Sequence, residues 1–497
     1  MKVFISILLL SCIRMACYAQ PGTLDSSFGV NGIESIHMIN SGGLYALSIQ
    51  SDQKMVAVGW GDSSLIRLNE DGTFDKTFGY RGRMDIAGSS LNFQVNGGFI
   101  IVRQDSMFFN ATRYKNNGMP DSSFNGDGTI INYMGEQCYG TVVQTDGKIV
   151  IAGSVHYQIG AMRYNPNGLL DSSFNKNGVV SARLGGYVGE KVCILIQPLN
   201  KIVLTGYNTT IIDSMGHTRN DFILLRYSDN GSLDSSFGTN GIVVTDFASI
   251  HNFATSAVLQ PDGKILVAGT SQQPNSSSDF AIARFSADGV PDSSFGIDGK
   301  VTADIDTGKN DVPRGIALQA DGKIVLAGIS YSAITRNVLS LARFTISGSL
   351  DSTFGKNGKV IADIIGIGGQ IMAVAIQSNG KIVVAGYAEA TPGTLQPFLA
   401  RYLGDGQVSV SHINQLPQSN RIYPNPTTGI CTLTADSYKD LVSITVSDML
   451  GNCVIKINYN FGASRKTELN LSQLPRGIYT VRIQDKSESG MIKVTKQ

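Results

Sequence analysis

The chain has 497 residues, enough for two or three domains if each spans roughly 100–200 residues. Forty basic and 39 acidic residues leave a net charge of +1, which argues against nucleic acid or an anionic membrane as an electrostatic partner. Hydrophobic residues make up 42% of the chain, which excludes intrinsic disorder. Short apolar runs separated by Gly, Asn and Asp predict an all-β protein.

Residues 1–19 have the pattern of a secretory signal peptide. Lys2 precedes an apolar run from Val3 to Ile13, and Ala19 ends a segment typical of a cleavage site. A lipoprotein signal with lipidation at Cys12 is the alternative. No later apolar run approaches the roughly 18 residues that span a bilayer, so we expect a soluble exported protein.

Seven copies of one sequence unit follow, and three short elements mark each copy. The first reads Asp-Ser-Ser-Phe or a close variant and begins at Asp25, Asp75, Asp121, Asp171, Asp234, Asp292 and Asp351. The second is based on Gln-x-Asp-Gly-Lys-Ile-Val-x-Ala-Gly and begins at Gln50, Gln94, Gln144, Gln197, Gln260, Gln319 and Gln377. The third is a short apolar run that ends in an arginine, at positions 67, 113, 163, 226, 284, 343 and 401.

Each copy predicts four strands. Asp-Gly between two apolar runs indicates a hairpin with a type I′ turn, and the alternation in residues 280–285 suits a strand with one buried face. Further strands precede the Gln and follow the Asp-Ser-Ser-Phe turn. Four-stranded units of about 55 residues repeated radially form a propeller. Residues 20–407 are therefore predicted to form a seven-bladed β-propeller.

The spacing of charges predicts one ion pair in every blade. An Asp stands eight residues after each of the first six arginines, which suits a charge-assisted pair across a turn. These pairs are Arg67–Asp75, Arg113–Asp121, Arg163–Asp171, Arg226–Asp234, Arg284–Asp292 and Arg343–Asp351. Arg401 lacks such an Asp, and Asp25 lacks a preceding arginine. We therefore predict that Asp25 pairs with Arg401 and that the N-terminal strand completes the seventh blade.

Four cysteines follow residue 19, namely Cys138, Cys193, Cys431 and Cys453. An exported protein meets an oxidising compartment, and four cysteines allow three pairings. A domain of this size does not need disulfides, so we expect buried free thiols, with one disulfide as the alternative. Cys193 occupies a position, four residues before the Gln, that is small in every copy. We expect neighbouring strands to approach closely at this position.

These repeats resemble the delta-60 repeat, a family of bacterial extracellular repeats typified by Leu-Asp-x-Ser-Phe-Gly and Asp-Gly-Lys-Ile-x-x-x-Gly. The resemblance covers nearly all of residues 21–406. It is weakest in the second copy, where Asn96-Gly97-Gly98-Phe99 replaces Asp-Gly-Lys-Ile. The resemblance implies a propeller-like fold and no established activity, so no site residues follow from it.

The repeats end before a polar linker at residues 408–419, and residues 420–497 predict a small Ig-like β-sandwich. The tail contains Tyr423-Pro424-Asn425-Pro426 and a Leu-Pro-Arg-Gly-Ile-Tyr motif that ends at Tyr479. It resembles the type A C-terminal sorting domain of the type IX secretion route of Gram-negative bacteria. The resemblance implies the type IX machinery as a partner, and surface attachment or release. An ordinary Ig-like binding module is the alternative.

No catalytic constellation emerges from the sequence. The five histidines occupy unrelated repeat positions, and no Gly-x-Ser-x-Gly, His-Glu-x-x-His or P-loop motif occurs. Asp- and Asn-rich turns such as residues 229–234 have a composition that suits calcium, but two copies lack the carboxylates and an Asx turn explains them. We therefore predict no enzyme, no cofactor and no metal site.

Three functions stay open. We favour a surface binding or adhesion module for a glycan or protein, and a structural cell-envelope protein without a specific ligand is the alternative. The third is a glycan-active enzyme at the channel mouth, for which the candidate residues are Glu136, Glu190, Asp311 and Arg314.

Variable intervals predict where a ligand binds. Between the glycine that ends the second element and the following arginine the interval varies from 8 to 20 residues, whereas the Arg-to-Asp interval is constant. Binding residues tend to lie on variable loops of a rigid scaffold. We predict a binding face on loops 207–221, 270–279, 331–338 and 387–395. Its aromatic residues are Trp60, Tyr207, Tyr331 and Tyr387, and we expect the protein to be a monomer.

Overall fold

The computed structural model comprises two compact units, residues 1–406 and 407–497. The described residues are 20–38, 41–62, 64–94, 97–104, 108–132, 137–155, 158–182, 192–273, 277–331, 337–362, 368–405, 421–424, 427–434, 441–447, 453–460, 466–475, 477–484 and 489–496. The predicted signal peptide (1–19) and linker (408–419) lie outside them.

Seven four-stranded antiparallel sheets, here called blades one to seven, make up the described part of the first unit. Strands pair in chain order within each blade, except that blade seven takes its fourth strand from the N-terminus. These residues contain no α-helix and one 3₁₀ turn, Pro198–Asn200. The first strands are Gly43–Ile49, Ser90–Phe93, Gln137–Val143, Cys193–Gln197, Asn252–Leu259, Asn310–Leu318 and Gly369–Ile376.

The other strands form where β-branched and aromatic residues cluster between turn residues. The second strands are Met55–Trp60, Phe99–Gln104, Ile149–Val155, Lys201–Ile211, Ile265–Gln272, Ile324–Tyr331 and Ile382–Thr391. The third strands are Leu65–Leu68, Phe109–Tyr114, Gln158–Tyr164, Thr218–Tyr227, Ser278–Phe285, Val338–Phe344 and Thr394–Tyr402. The fourth strands are Arg83–Met84, Thr129–Asn132, Val179–Ala182, Ile242–Thr245, Lys300–Ala303, Lys359–Ala362 and Ile33–Ser35.

The first strands form a closed inner ring around a central channel. Each contacts the first strand of the next blade, and the first strand of blade seven contacts that of blade one. Adjacent blades share apolar cores: Val325 and Leu341 of blade six pack with Val384 and Phe398 of blade seven in one fully buried cluster. The predicted seven-bladed β-propeller is confirmed. No helix in the described residues is long and apolar enough to cross a membrane.

In blade three the hairpin between the first and second strands differs from the predicted type I′ turn. Within residues 144–148 only Gly147 has a positive φ, of 82°. The side chain of Asp146 instead accepts a hydrogen bond from the Lys148 amide at 3.1 Å. This Asx-type contact lets Asp146 keep an ordinary backbone conformation, so the turn needs a single left-handed residue.

Small residues allow the close approaches that the repeat requires. A Cβ on Gly328, which ends the second element in blade six, would lie 2.1 Å from the carbonyl oxygen of Val312 on the first strand. A Cβ on Gly315 would lie 3.0 Å from Cγ1 of Val374 in the next blade. The predicted close approach is confirmed at this position.

The N-terminal strand closes the ring. Ile33 pairs with Ala400 in antiparallel register, and the amide of Arg401 donates to the carbonyl of Gly32 at 2.9 Å. The Asp25 carboxylate lies 2.8 Å from the Nε atom of Arg401, across 376 residues of sequence. The N-terminal strand therefore covers the edge of the third strand of blade seven, as the fourth strand does in the other blades.

The same arginine–aspartate contact occurs in all seven blades, and we call this set the belt. The distance from arginine Nε to aspartate Oδ2 is 2.7–2.9 Å in every pair. Each guanidinium also lies 4.4–4.7 Å from the ring centre of the Phe in its Asp-Ser-Ser-Phe turn. Each arginine thus combines an ion pair with a cation–π contact.

The belt also joins each blade to the next. Arg163 of blade three donates to the carbonyl of Asp229 in blade four at 2.6 Å. Arg401 of blade seven donates to the carbonyl of Glu70 in blade one, which continues the series across the closure. In blade six, Arg343 contacts the carboxylate of Asp405 at 2.6 Å instead.

Electrostatics favour the ionised form of the belt aspartates. Burial alone would raise the pKa of Asp25, but hydrogen bonds from Lys381 and Ser27 and the charge of Arg401 outweigh it and hold the pKa at about 2. Blade two has Gly98 in place of the hairpin lysine, and the side chain of Asp121 is 19% exposed there.

Asp25→Ala is expected to lower the free energy of unfolding by about 3–5 kcal/mol, because it leaves the buried Arg401 unpaired at the closure. Asp121→Ala is the matched control and should cost less, since Asp121 is more exposed and lacks the hairpin lysine. Denaturant unfolding followed by the fluorescence of Trp60, the one tryptophan of the chain, measures both. Equal midpoints for wild type and Asp25→Ala would contradict the closure role.

The belt is expected to make the propeller acid-labile. A carboxyl whose folded pKa lies below its unfolded value stabilises the fold above the unfolded pKa, and this contribution is lost as the pH falls through the folded value. For Asp25 the window runs from about pH 4 to about pH 2. Unfolding midpoints of wild type should fall across this window, and those of Asp25→Asn should fall less. Parallel pH profiles would show that the belt carboxylates do not control acid stability.

The second unit contains two sheets that share one core. One sheet consists of Arg421–Tyr423, Ile430–Thr434 and Lys466–Asn470, and the other of Leu441–Ser447, Cys453–Asn460, Gly477–Gln484 and Ser489–Lys496. Leu433 and Leu469 from the first sheet pack with Ile444 and Val481 from the second. The unit is a small β-sandwich. Cys138 and Cys431 are buried free thiols, Cys193 Sγ donates to the carbonyl oxygen of Thr255 at 3.4 Å, and the side chain of Cys453 lies outside the described set.

Candidate functional site

The two faces of the propeller differ in the regularity of their connections. The third-to-fourth connections have fourteen residues in each of blades one to six, as in residues 69–82, and carry the belt. The opposite face carries the second-to-third and fourth-to-first connections, whose lengths differ between blades. We call it the variable face and the other the fixed face.

The predicted loops 207–221 and 387–395 are mostly strand. In blade four the second strand runs to Ile211 and the third begins at Thr218, so that residues 212–217 alone connect them. Thr209, Thr210 and Ile211 are β-branched, which favours a longer hairpin over a loop. Loops 270–279 and 331–338 are described in part, since residues 274–276 and 332–336 fall outside the described ranges.

The structure brings two of the four predicted aromatic residues together. Trp60 Nε1 and Tyr387 Cδ1 would each lie 2.7 Å from a Cβ on Gly43, so both rings pack against this glycine at the joint between blades seven and one. The other two are elsewhere. Tyr207 packs edge-on against Phe253 at 4.8 Å, and Tyr331 ends a strand of blade six with 37% of its surface exposed.

A cleft of about 440 Å³ opens beside Tyr387 on the variable face. Asn337, Gln370, Glu389 and Leu395 line it together with the tyrosine. Gln370 faces Tyr387 across the first two strands of blade seven. Glu389 accepts a hydrogen bond from the Gly393 amide at 2.5 Å, which fixes its carboxylate at the hairpin tip. Amide groups, a carboxylate and an aromatic ring thus converge on one concave surface.

The residues considered for catalysis do not form one described site. Glu136 and Glu190 lie outside the described residues. Asp311 is fully buried and belongs to a carboxylate cluster between blades five and six. Arg314 lies on the first strand of blade six, where its charge influences Tyr387 of blade seven.

The carboxylate cluster was not predicted from the sequence. Asp279, Asp304 and Asp311 each place an oxygen within 4.8 Å of the others. Burial and the charge of Asp304 raise the pKa of both Asp279 and Asp311 to about 6. Among the described residues these three are the group able to hold a metal ion. They supply fewer oxygens than the six to eight that Ca²⁺ takes.

The same repeat positions between blades four and five contain their own cation. Asp221 stands five residues before Arg226, as Asp279 stands five before Arg284. Arg219 lies 2.9 Å from Asp221 and neutralises this position, whereas Ser277 occupies the corresponding place beside Asp279. A comparison of equivalent positions across repeats is the signal that would have revealed the cluster.

Asp279→Asn is expected to stabilise the propeller by about 1 kcal/mol at pH 8, because it removes one of three crowded negative charges from a partly solvated position. The folded pKa of about 6 lies above the ordinary value, so the repulsion is present above pH 6 and is lost on protonation at lower pH. The gain should therefore shrink as the pH falls below about 6 and be absent at about pH 4, near the unfolded pKa. Unfolding curves of Trp60 fluorescence at both pH values measure it.

Asp221→Asn serves as the matched control for this change and should stabilise less than Asp279→Asn, since Arg219 at 2.9 Å offsets part of the burial that raises the pKa of Asp221. A loss of stability for Asp279→Asn at pH 8 would contradict like-charge repulsion and would indicate a cation held by the cluster.

Comparisons with known families match both units. Residues 421–497 match the secretion system C-terminal sorting domain. The β-propeller domain of unknown function DUF5122 matches residues 50–78, 144–174, 197–237, 260–295, 319–354 and 377–408. The second copy lies outside these segments and is the one that departs from the motif, although it forms blade two. No curated protein matches the chain.

Solved structures with similar folds have low sequence identity. A protein of unknown function from Bacteroides caccae is 12% identical, with 66% of this chain and 96% of that chain covered and a TM-score of 0.36. An ulvan lyase is 11% identical, with 75% and 97% covered and a TM-score of 0.44. An endo-arabinase from Bacteroides thetaiotaomicron is 14% identical, with 54% and 94% covered and a TM-score of 0.31. These similarities carry no argument about function.

The repeat matches and the C-terminal match agree with the architecture of the two units. The sorting domain engages the type IX secretion machinery and directs export. The chain thus combines β-propeller repeats that match DUF5122 with a type IX C-terminal sorting domain, which directs it to the cell surface or the extracellular space.

Proposed function

We propose that the propeller is a surface binding module that takes a glycan into the cleft beside Tyr387. The observation that carries the proposal is the composition of this cleft. A tyrosine ring provides a flat apolar surface for a sugar ring, while Asn337, Gln370 and Glu389 offer hydrogen-bonding groups for its hydroxyls. The volume of about 440 Å³ suits a ligand of a few sugar units.

The position of the cleft supports the same function. It lies on the variable face, where the repeats differ, whereas the fixed face carries the belt. A binding residue is needed once, and the residues that line the cleft do not recur at equivalent positions in all copies. The rigid ring thus holds a surface that can change without loss of the fold.

The carboxylates that line the cleft favour binding over catalysis. Glycoside hydrolysis requires two carboxyl groups on either side of one bond. Among the described residues that line the cleft, Glu389 is the one carboxylate, and a backbone amide of its own hairpin already holds it. The cluster of Asp279, Asp304 and Asp311 belongs to blades five and six.

Tyr387→Ala is expected to weaken glycan binding at least tenfold, because the ring is the apolar floor for the sugar. Gln370→Ala removes a polar group of the cleft with little effect on packing and should also weaken binding. Tyr80→Ala is the matched control, since Tyr80 is 77% exposed on the fixed face. A glycan array probed with the full chain selects the ligand, and calorimetry compares the variants.

Two outcomes would contradict the proposal. One is glycan binding that survives Tyr387→Ala and Gln370→Ala but is lost in Tyr80→Ala. The other is the release of new reducing ends or unsaturated products from the bound glycan, which would make the protein an enzyme.

A further inference from the structure

The cleft beside Tyr387 has a single charged group among the described residues that line it. This group is the carboxylate of Glu389, and the other lining side chains are neutral. No basic nitrogen of a described residue lies within 4.0 Å of this carboxylate. Arg314, whose charge influences Tyr387, does not line the cleft. The described lining therefore carries a negative charge without a counter-charge of its own.

The strand register places this carboxylate beside the tyrosine ring. Tyr387 and Glu389 are two residues apart on the second strand of blade seven, so their side chains leave the same face of the sheet. Gln370 lies opposite Tyr387 on the first strand, and Leu395 lies opposite Glu389 on the third. Two residues of a strand span about 7 Å, which is comparable with one sugar unit. A sugar that packs on the ring thus brings a substituent within reach of the carboxylate.

One of the two carboxylate oxygens of Glu389 has a structural role. Its Oε1 atom accepts the hydrogen bond from the Gly393 amide at 2.5 Å, which holds the hairpin turn. The other oxygen, Oε2, accepts no hydrogen bond from a described residue. A glutamine would hold the turn as well, because its amide oxygen accepts the same bond. The turn therefore explains an oxygen at this position but not a negative charge.

The same pairing of an aromatic residue with a carboxylate occurs across the joint. Trp60 and Asp62 stand in blade one at the repeat positions that Tyr387 and Glu389 occupy in blade seven. The other five copies lack such a pair, so the propeller repeat does not require it. Trp60 and Tyr387 pack against one glycine, and Asp62 is exposed. Two aromatic rings, each followed by a carboxylate, thus lie at the joint between blades seven and one.

We infer that the cleft binds an amino sugar, whose ammonium group pairs with the Glu389 carboxylate while the sugar ring packs on Tyr387. This inference rests on the proposed function and specifies its ligand class. A protonated amino group is attracted both by a carboxylate and by the face of an aromatic ring, and the cleft offers both. The pair in blade one offers the same chemistry to a second unit of the saccharide. Neutral sugars would gain the ring contact and uncharged hydrogen bonds alone.

The test titrates the full chain with trimers of glucosamine and of galactosamine, at a pH where their amino groups are protonated. Each is compared with the neutral trimer that has a hydroxyl in place of the amino group. Calorimetry reports binding, as does the fluorescence of Trp60, which packs on the same glycine as Tyr387. We expect an amino trimer to bind at least tenfold more tightly than its neutral counterpart, and added salt to weaken the amino trimer alone. Trigalacturonic acid should bind more weakly than either.

Glu389→Gln should abolish this preference, because the amide keeps the bond to Gly393 but not the charge. The ratio of the two affinities should fall to about twofold or less, while the thermal midpoint of unfolding matches that of wild type. Asp62→Asn should lower the ratio by a smaller factor. Asp262→Asn is the matched control and should leave the ratio unchanged. It removes a carboxylate that is 55% exposed on a hairpin of the fixed face, where blade seven has Asn379.

The outcomes separate this inference from the proposed function. If Tyr387→Ala abolishes binding of every trimer while wild type binds amino and neutral trimers equally, the cleft binds glycans but the ligand class is wrong. A preference for the amino sugar that survives Glu389→Gln would show that this carboxylate does not select the ligand. If no saccharide binds wild type, both proposals are wrong. Binding of poly-lysine as tightly as the amino trimers would also overturn the inference, since it would indicate a basic protein segment as the ligand.

Discussion

The fold depends on a buried guanidinium whose surroundings are the same in every blade. Its Nε faces an aspartate, its plane lies against a phenylalanine ring, and in most blades another N–H reaches a carbonyl of the next blade. One side chain therefore fixes the turn that begins with the aspartate, orders the aromatic core beneath it and sets the distance to the neighbouring blade. Because the contact is repeated around the circle, it determines the geometry of the whole fixed face.

The equal spacing of charges made this arrangement predictable. An interval that stays constant in every copy specifies one geometry, and the unmatched Arg401 and Asp25 could only complete each other. The lengths of the hairpins and the carboxylate cluster were harder to predict from the sequence. Asp279, Asp304 and Asp311 come from two blades and three separate segments, so their convergence depends on how adjacent blades pack. The meeting of Trp60 and Tyr387 likewise depends on closure of the ring, which spacing within one repeat does not encode.

The two faces differ in how their buried charges are balanced. On the fixed face each buried aspartate is balanced by an arginine and usually by a lysine as well, so charge is neutralised within the scaffold. The variable face brings three carboxylates together between blades five and six, and the charge of Lys359 balances them only in part, since the pKa of Asp279 stays raised at about 6. Unbalanced charge costs stability, and it is found where the repeats diverge.

The joint made by Asp25 and Arg401 has the same chemistry as the six joints inside the chain. Closure of the ring therefore does not depend on a contact that suits only one number of repeats. A gene duplication that adds one whole unit, or a recombination that removes one, would leave every contact intact in kind and would change mainly the angle between neighbouring blades. Each sequence repeat begins and ends within a blade. A gain or loss of whole repeats therefore still leaves the N-terminal strand to complete the last blade. This architecture allows the ring to grow or shrink during evolution while its ends still find each other.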